Sequence, residues 1–219
     1  MMKNFAVIFD MDGVICHTNP YHSLAFQAFF GKRGLNPTNE EFSQHMFGKS
    51  NSYILKHFLG REIVGEEFKA FEFEKESLFR EIYADNIETI PGYLDFLNSL
   101  KSKNVKTGVA TSAPRANLDL IMNFLGFENQ MESILASENV NKHKPDPEVY
   151  ITSAINLNVP IANCLVFEDS FSGVSAALNA NMKVVGVLSS HTKEELPPCD
   201  HYIYNYSEIN YQILFDLFK

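Results

Sequence analysis

The chain reads FAVIFDMDGV from residue 5 to residue 14. Its first five residues are apolar, and a short apolar run of this kind predicts a buried strand of a parallel sheet. Asp10 and Asp12 follow at once, so we expect them at the carboxyl end of that strand, where ligands bind in open α/β sheets. Two carboxylates this close are costly to bury unless a cation or a substrate offsets their charge. The stretch therefore predicts a parallel-sheet core with a functional site at its edge.

Composition and charge argue against several classes of protein. The 219 residues carry a formal net charge of −9 and no basic patch, so we expect no nucleic-acid partner. No apolar stretch approaches the ~20 residues that a membrane helix needs, so we expect no membrane partner. The three scattered cysteines are too few for a disulfide framework or a zinc site. We therefore expect a cytoplasmic protein, and we expect it to be a monomer.

The second half of the chain alternates between strand and helix patterns beyond Pro91 and Gly92. This alternation predicts right-handed βαβ units and hence an α/β fold, whose Rossmann-like parallel-sheet core includes the first strand. The predicted strands cover 105–110, 134–136, 164–167, 184–187 and 201–204. The predicted helices lie near 93–102, 115–125, 147–157, 172–180 and 207–218.

Residues 17–87 carry helix signals and no convincing strand pattern. Asn19 resembles an N-cap, with Pro20 at the first helical position. Residues 38–41 read TNEE, which is typical of a capping box. Two further helices are predicted, over about 50–59 and 66–83.

These two patterns divide the chain into two domains. We predict an α/β catalytic core formed by residues 1–16 and 88–219. We predict a helical cap domain at residues 17–87, inserted after the first strand. The two linkers would then lie near residues 14–18 and 84–90.

Polar side chains follow two more of the predicted strands, and a lysine lies in a loop between these two strands. Thr111 and Ser112 follow the strand at 105–110, and Glu168 and Asp169 follow a later one. Lys144 lies in a loop between them. Because the carboxyl ends of parallel strands share one edge of the sheet, we expect these groups to meet the two aspartates of the first strand around one crevice.

This set of groups suits phosphoryl transfer. A carboxylate can attack phosphorus and form an aspartyl-phosphate. A second carboxyl nearby can protonate the leaving oxygen and later activate the next nucleophile. The charge on the phosphoryl oxygens needs cations and donors, and Lys144 and the Thr111 hydroxyl are suited to that task. Mg²⁺, which prefers oxygen ligands and keeps several waters, fits between Asp10 and Asp169.

The four motifs together resemble those of the haloacid dehalogenase superfamily of phosphotransferases. They read FDMDGV at 9–14, VATS at 109–112, KPDP at 144–147 and FEDS at 167–170, in the order found in that superfamily. A helical insert directly after the first motif matches the C1-capped subfamily I. The resemblance covers almost the whole chain and implies a core of this type with an inserted helical cap.

The resemblance also implies a role for each motif residue. Asp10 would be the nucleophile and Asp12 the general acid/base, while Thr111 and Lys144 would bind the transferring phosphate. The implied magnesium ligands are the Asp10 carboxylate, the Asp12 backbone carbonyl and Asp169, with Glu168 as a further candidate.

The second aspartate separates branches of the superfamily. Its dehalogenases and phosphonatases lack an acid/base at the position that matches Asp12. A phosphate substrate is therefore favoured over a carbon–halogen or carbon–phosphorus bond.

Within the superfamily, the cap resembles that of the β-phosphoglucomutase-like group. Residues 12–14, Thr18, Tyr21 and His22 follow its pattern. In the mutases, the histidine that matches His22 helps to position the general acid/base, and its lysine partner matches Lys75. The resemblance thus implies a second set of functional residues in the cap.

The sugar-phosphate contacts of the mutases match less well. A mutase cap offers a lysine and an arginine beside Gly-x-Ser, whereas residues 47–51 here read FGKSN. The second mutase motif offers Ser and Asn to the phosphate that is not transferred, whereas this chain has Ala113 and Arg115. The candidate substrate-binding residues are Ser112, Arg115, His22, Lys49 and Lys75.

Several of these residues also have simple structural explanations. Asp12-Gly13 is a common turn signal. A histidine among apolar neighbours, such as His22, is often a structural residue, and lysines in charged segments such as Lys49 and Lys75 are mostly solvated.

Taken together, the sequence predicts a Mg²⁺-dependent phosphohydrolase acting through a phospho-aspartyl intermediate on Asp10. Its expected substrate is a small phosphorylated metabolite, with a sugar phosphate favoured. The main alternative is β-phosphoglucomutase activity, an intramolecular phosphotransfer that His22 and Lys75 support. A distant alternative from a different class is a non-catalytic regulator that binds phosphate.

Overall fold

The computed structural model describes residues 5–46 and 50–219. The chain forms two compact units, Met1–His17 with Glu88–Lys219 and Thr18–Ile87. We call the first unit the core and the second the cap. Within the described residues, no helix is long and apolar enough to cross a membrane.

The core is built on one parallel sheet of six strands in the order β3-β2-β1-β4-β5-β6. β1 lies between β2 and β4, and Phe9 is in register with Val109 and with Phe167. The ends of these three strands are therefore aligned, which confirms the expected α/β class and brings their following loops to one edge. The strands are β1 (Ala6–Phe9), β2 (Lys106–Ala110), β3 (Ser133–Leu135), β4 (Cys164–Glu168), β5 (Lys183–Val187) and β6 (His201–Ile203).

The cap consists of helices over its described residues. Their bounds are α1 (Asn19–Gly31), α2 (Asn39–His45), α3 (Asn51–Leu59) and α4 (Gly65–Tyr83). Apolar side chains from these helices form a buried hydrophobic cluster within the cap, which includes Phe26, Phe29, Phe30, Phe42 and Ile54.

The capping signals of the cap were predicted with mixed success. The capping box is confirmed, since the Thr38 backbone donates to the Glu41 carboxylate at 2.7 Å and the Glu41 backbone donates to the Thr38 hydroxyl at 3.2 Å. The predicted N-cap of α1 is wrong by one residue. Thr18 occupies that position without a side-chain capping bond, and Asn19 is the first helical residue. Pro20 has no amide hydrogen, which costs nothing in the first turn of a helix, so it suits the second helical position as well as the first.

Over the described residues of the core, five α-helices accompany the sheet. They are α5 (Tyr93–Ser102), α6 (Arg115–Leu125), α7 (Glu148–Leu157), α8 (Phe171–Asn179) and α9 (Tyr211–Asp216). The bounds of α5 and α6 match the prediction, and those of α7 and α8 lie within one residue of it.

The predicted final helix is wrong in extent. A short 3₁₀ turn at Tyr206–Glu208 precedes α9 instead of one continuous helix. Asn205 and Asn210 each accept hydrogen bonds from backbone amides two or three residues later. Because each asparagine starts a new element, the chain is interrupted between them.

Both faces of the sheet are covered, which explains the uninterrupted apolar run before Asp10. On one face, the ring of Phe9 lies 5.3 Å from that of Tyr93 and 5.1 Å from that of Phe167. On the other face, Ile8 belongs to a buried cluster with Tyr150. The end of β1 is therefore held on two sides by packed side chains.

Candidate active site

Lys144 links the ends of three strands in the core. Its Nζ lies 2.5 Å from Asp10 Oδ1, 2.8 Å from Glu168 Oε1 and 3.2 Å from the Ala110 carbonyl oxygen. An ammonium group can donate three hydrogen bonds and cannot accept any, so these three acceptors use all of its hydrogens. Its side chain is 5% exposed. The predicted proximity of the first and third motifs is thus present as a direct buried ion pair.

The first motif makes a tight turn after β1. Gly13 has a φ of +71°, and its amide donates to the Cys16 carbonyl at 2.8 Å. A Cβ at this position would overlap the Asp169 carboxylate and lie 2.9 Å from Ser189 Oγ. Asp12, directly before this glycine, is half-buried. The turn therefore brings the backbone of the first motif into contact with the fourth.

Glu168 is surrounded by hydrogen-bond donors. Its Oε1 accepts from Lys144 and from the Tyr150 hydroxyl at 3.0 Å. Its Oε2 accepts from the backbone amides of Asp169 and Ser170 at 2.8 and 2.9 Å, and from the Ser170 hydroxyl at 3.0 Å. The sequence offered Glu168 as a further metal ligand. In the structure, both of its oxygens accept hydrogen bonds, from Lys144 and Tyr150 and from the start of the following loop.

Thr111 lies directly beyond β2 and is buried. Its Oγ1 accepts a hydrogen bond from the Ala113 amide at 3.0 Å. Because the hydroxyl is an acceptor there, its own hydrogen can be donated to a further oxygen. Ser112, the next residue, is exposed.

Arg115 has partners on and near its own helix. Its Nε lies 2.6 Å from Asp119 Oδ1, one turn further along α6. Its backbone amide donates to the Glu138 carboxylate at 3.0 and 3.1 Å. The guanidinium predicted to bind substrate is therefore engaged in an exposed ion pair along the helix.

The core site carries more negative than positive charge. Burial raises the pKa of Asp10 to about 7, the charges of Glu168 and Asp12 add to this, and the ammonium of Lys144 opposes it. Burial, followed by the charges of Glu168 and Asp10, also holds the pKa of Asp169 well above its usual range. One lysine thus faces several carboxylates, and a bound cation would relieve this imbalance.

A divalent cation fits the donors of the core site. Among the described residues, no three histidine, cysteine, aspartate or glutamate side chains are grouped so that they could hold a metal by themselves. The donors that match the prediction without Glu168 are two carboxylates, Asp10 and Asp169, and the backbone carbonyl of Asp12. This set is entirely oxygen and incomplete, which suits Mg²⁺ because that ion keeps several waters.

A second polar cluster lies within the cap. Lys75 Nζ is 2.8 Å from His22 Nδ1 and 2.8 Å from Glu76 Oε1, and its side chain is 3% exposed. The imidazole of His22 stacks on the Phe79 ring at a centroid distance of 3.8 Å. The structure therefore brings together two residues that the sequence selected 53 positions apart. Lys49, the third cap residue selected, lies outside the described residues.

Glu76 was not anticipated from the sequence. Burial by itself would raise its pKa, but the charges of Lys75 and His22 and hydrogen bonds from Lys75 and Asn51 lower it to about 2. The Asn51 amide donates to Glu76 Oε1 at 3.0 Å. Glu76 is therefore an ionised, buried partner of Lys75.

Comparison with known proteins agrees with the motifs that meet at the edge of the sheet. The model of the haloacid dehalogenase-like hydrolase family matches residues 7–187. The chain belongs to this family. The matched span contains all four motifs of the core site and the helical cap.

Two relatives of this hydrolase have names that describe reactions of phosphate groups. It is 34% identical to the "phosphorylated carbohydrates phosphatase" of Thermotoga maritima over 190 residues, 84% of this chain and 86% of that protein. It is 32% identical to the β-phosphoglucomutase of Bacillus subtilis over 191 residues, 83% of this chain and 82% of that one. It is also 33% identical to the chloroplast protein "SUPPRESSOR OF QUENCHING 1" of Arabidopsis thaliana, but it spans only 18% of that protein's length.

A solved structure of a haloacid dehalogenase family IA hydrolase from Entamoeba histolytica superimposes with a TM-score of 0.92. It is 28% identical, and the alignment covers 98% of this chain and 99% of that chain. The protein is therefore an enzyme of the phosphatase and phosphomutase type within its family. Both the resemblance and the enzyme class inferred from the sequence are confirmed.

Sequence reasoning missed a group of residues at the same sheet edge. Ser189, Ser190 and His191 follow β5, and their side chains contact Gly13 and Asp169. The rule that ligands bind beyond the carboxyl ends of parallel strands would have pointed to them. The sequence assigned them no role, because β5 is followed by none of the four motifs.

Proposed function

We propose that this hydrolase is a Mg²⁺-dependent phosphatase for a small phosphorylated metabolite, of which phosphorylated carbohydrates are the favoured class. The observation that carries the proposal is the buried contact of 2.5 Å between Asp10 Oδ1 and Lys144 Nζ at the end of β1. The ammonium of Lys144 opposes the rise in the pKa of Asp10 and orients its carboxylate, which favours the ionised form that a nucleophile requires. The substrate class is supported by the Thermotoga maritima relative, a phosphorylated carbohydrates phosphatase.

In the first step, a carboxylate oxygen of Asp10 attacks phosphorus while the ester bond to the leaving oxygen breaks. Asp12 donates its proton to that oxygen, so the dephosphorylated product leaves as a neutral alcohol. The phosphoryl group remains on Asp10 as an acyl phosphate.

In the second step, water attacks the phosphorus of the acyl phosphate. Asp12, now ionised, accepts a proton from that water, and the bond to Asp10 breaks to release inorganic phosphate. The acid and the base are therefore the same carboxyl group in successive protonation states.

Donors around Asp10 offset the charge of the phosphoryl oxygens. The Thr111 hydroxyl has a hydrogen to give, and Lys144 can transfer one of its hydrogen bonds from Asp10 to a phosphoryl oxygen once Asp10 has reacted. Mg²⁺ held by Asp10, Asp169 and the Asp12 carbonyl would supply further positive charge to the same oxygens.

A phosphomutase is the second candidate, and the contact of 2.8 Å between Lys75 and His22 favours it. The two reactions share their first step and differ in whether water or a second hydroxyl of the sugar takes the phosphoryl group. A mutase must also bind a second phosphate. Ala113 has no polar side chain for this, and Arg115 is paired with Asp119. These two residues favour hydrolysis.

The test is phosphate release from a panel of phosphorylated metabolites with MgCl₂, beside a coupled assay that converts β-glucose 1-phosphate into glucose 6-phosphate. We expect release of phosphate without isomerisation. The D10N variant should fall to background, whereas D119N, the same change at an exposed aspartate, should retain turnover. Isomerisation stimulated by glucose 1,6-bisphosphate with little free phosphate would establish the mutase instead. Wild-type turnover that persists in D10N would overturn the proposal.

A further inference from the structure

The segment 189–191 after β5 contacts two motifs of the core site at once. Ser189 Oγ donates to the Gly13 carbonyl at 2.5 Å. Ser190 Oγ is in close contact with Asp169 Oδ2 and lies 3.1 Å from the Asp169 carbonyl oxygen. His191 Nδ1 lies 3.0 Å from that carbonyl oxygen and 2.9 Å from Ser190 Oγ. The segment follows the span matched by the family model, which ends at residue 187.

Counting the donors orients these contacts. Ser190 has one hydroxyl hydrogen, and its closest acceptor is Asp169 Oδ2, so the hydrogen belongs to that bond. The Asp169 carbonyl oxygen can only accept, and His191 Nδ1 lies within hydrogen-bond distance of it. His191 therefore carries its hydrogen on Nδ1 and directs it at the Asp169 carbonyl and the Ser190 oxygen. The hydrogen bonds therefore run from His191 to Ser190, and from Ser190 to the Asp169 carboxylate.

The Asp169 carboxylate is fixed from a second side. A Cβ at Gly13 would overlap this carboxylate, so the glycine backbone packs directly against it. The carboxylate therefore has one face on the backbone of the first motif and one oxygen on Ser190. Rotation about its Cβ–Cγ bond would break the Ser190 contact.

We propose that Ser190 is a positioning residue that sets the orientation in which Asp169 meets a divalent cation, and that His191 supports Ser190 in this task. The inference rests on the magnesium site of the proposed function. Hydrogen bonds to a metal-binding carboxylate typically change metal affinity by about 10-fold to 100-fold when removed. Ser190 should therefore affect Mg²⁺ affinity more than the chemical step.

The test compares S190A with S190T, which keeps the hydroxyl, and with S102A. Ser102 is an exposed serine at the end of α5 whose hydroxyl donates only to a helix carbonyl, at 2.7 Å. MgCl₂ is titrated into each metal-free protein by calorimetry, and turnover is measured against the Mg²⁺ concentration. For S190A we expect the dissociation constant and the half-saturating Mg²⁺ concentration to rise about tenfold. Turnover at saturating Mg²⁺ should stay within about twofold of wild type, and S190T and S102A should bind Mg²⁺ as wild type does.

Changes at His191 keep the proposal testable if S190A does not fold. H191N retains a donor at the position of Nδ1, whereas H191L removes it, so only H191L should weaken Mg²⁺ binding. Equal Mg²⁺ affinity of S190A and wild type, or a loss of turnover in S190A that no Mg²⁺ concentration restores, would overturn the inference alone. Wild-type protein that neither binds Mg²⁺ nor needs it for turnover would overturn the metal site of the proposed function, and this inference with it.

Discussion

Lys144 in the core and Lys75 in the cap are both buried against carboxylates, yet the carboxylates respond in opposite ways. Next to Lys144, the pKa of Asp10 is raised to about 7, chiefly by burial. Next to Lys75, burial also favours the neutral acid, but the nearby charges prevail and the pKa of Glu76 falls to about 2.

The number of charges around each lysine explains the difference. Lys144 faces Asp10 and Glu168, and the negative charge of Asp12 further raises the pKa of Asp10. Over the described residues, the ion pair of Lys75 is with Glu76, and its Nζ also lies next to His22. The charges of Lys75 and His22 keep Glu76 ionised, whereas the excess of carboxylates around Lys144 leaves negative charge that a cation can relieve. The core cluster thus has an excess of negative charge, and the cap cluster does not.

The largest expected effect comes from removing the core lysine. We expect K144M to lower kcat/KM by about 10³-fold, because a buried donor next to the reacting groups is lost. Steady-state phosphate release measures this. K142M is the matched control, since Lys142 is exposed and 3.7 Å from Asp146. If K144M and K142M have similar kcat/KM, the charge comparison fails at its main site.

Removing the cap lysine should act on stability. We expect K75M to lower the free energy of unfolding by about 3 kcal/mol, because it leaves the Glu76 carboxylate buried without its cation. Urea denaturation measures this, with K69M as the control in the same helix, where Lys69 pairs with Glu66 on the surface. The double variant K75M/E76Q should regain most of the loss, because it removes both charges. No recovery in the double variant would mean that Lys75 stabilises the cap by other contacts than this pair.

The two acids should have opposite effects on the pH dependence of stability. Glu76 has a folded pKa of about 2, below its ordinary 4.5, so its contribution is present above pH 4.5 and lost as the pH falls towards 2. Asp10 has a folded pKa of about 7, above its ordinary 3.8, so its contribution is lost as the pH rises from 3.8 through 7. Each slope should reach at most about 1.4 kcal/mol per pH unit.

Urea denaturation of metal-free protein across these pH ranges tests this, with E76Q and D10N as the comparisons. E76Q should have a smaller acid slope than the wild type, and D10N should have a smaller slope between pH 3.8 and 7, to which the raised pKa of Asp169 also contributes. Saturating Mg²⁺ should flatten the Asp10 slope in the wild type and leave the Glu76 slope unchanged. Slopes of the same sign for the two residues would contradict the comparison.

The smallest expected effect is at Arg115. We expect R115A to change KM and kcat by less than about twofold, because the Arg115 guanidinium is engaged with Asp119. Loss of this exposed ion pair should also change the stability of the protein very little. Steady-state kinetics with the best substrate of the panel measures this, and R61A removes a comparable exposed pair in the cap. A tenfold rise in KM for R115A alone would restore Arg115 as a substrate-binding residue.

The parts of the fold that local patterns specify were predictable. The apolar run before Asp10, the capping box at Thr38 and the helices α5 and α6 follow from periodicity and capping chemistry, which act over a few residues. The final helix was predicted as one element because its apolar periodicity runs through Asn210. Only the structure shows that this asparagine caps a new helix, since an asparagine side chain suits both a helix and its start.

The sequence by itself determined which chemistry this protein carries. Four motifs, at the ends of predicted strands or in a loop between them, selected Asp10, Lys144 and Asp169 as candidates, because the carboxyl ends of parallel strands share one edge. What only the tertiary structure decided is how these groups are paired: Glu168 turns to Lys144, and Ser190 turns to Asp169. The physical reason is that a side chain's partners depend on rotamers and on contacts between residues far apart in the chain. A local pattern does not encode them.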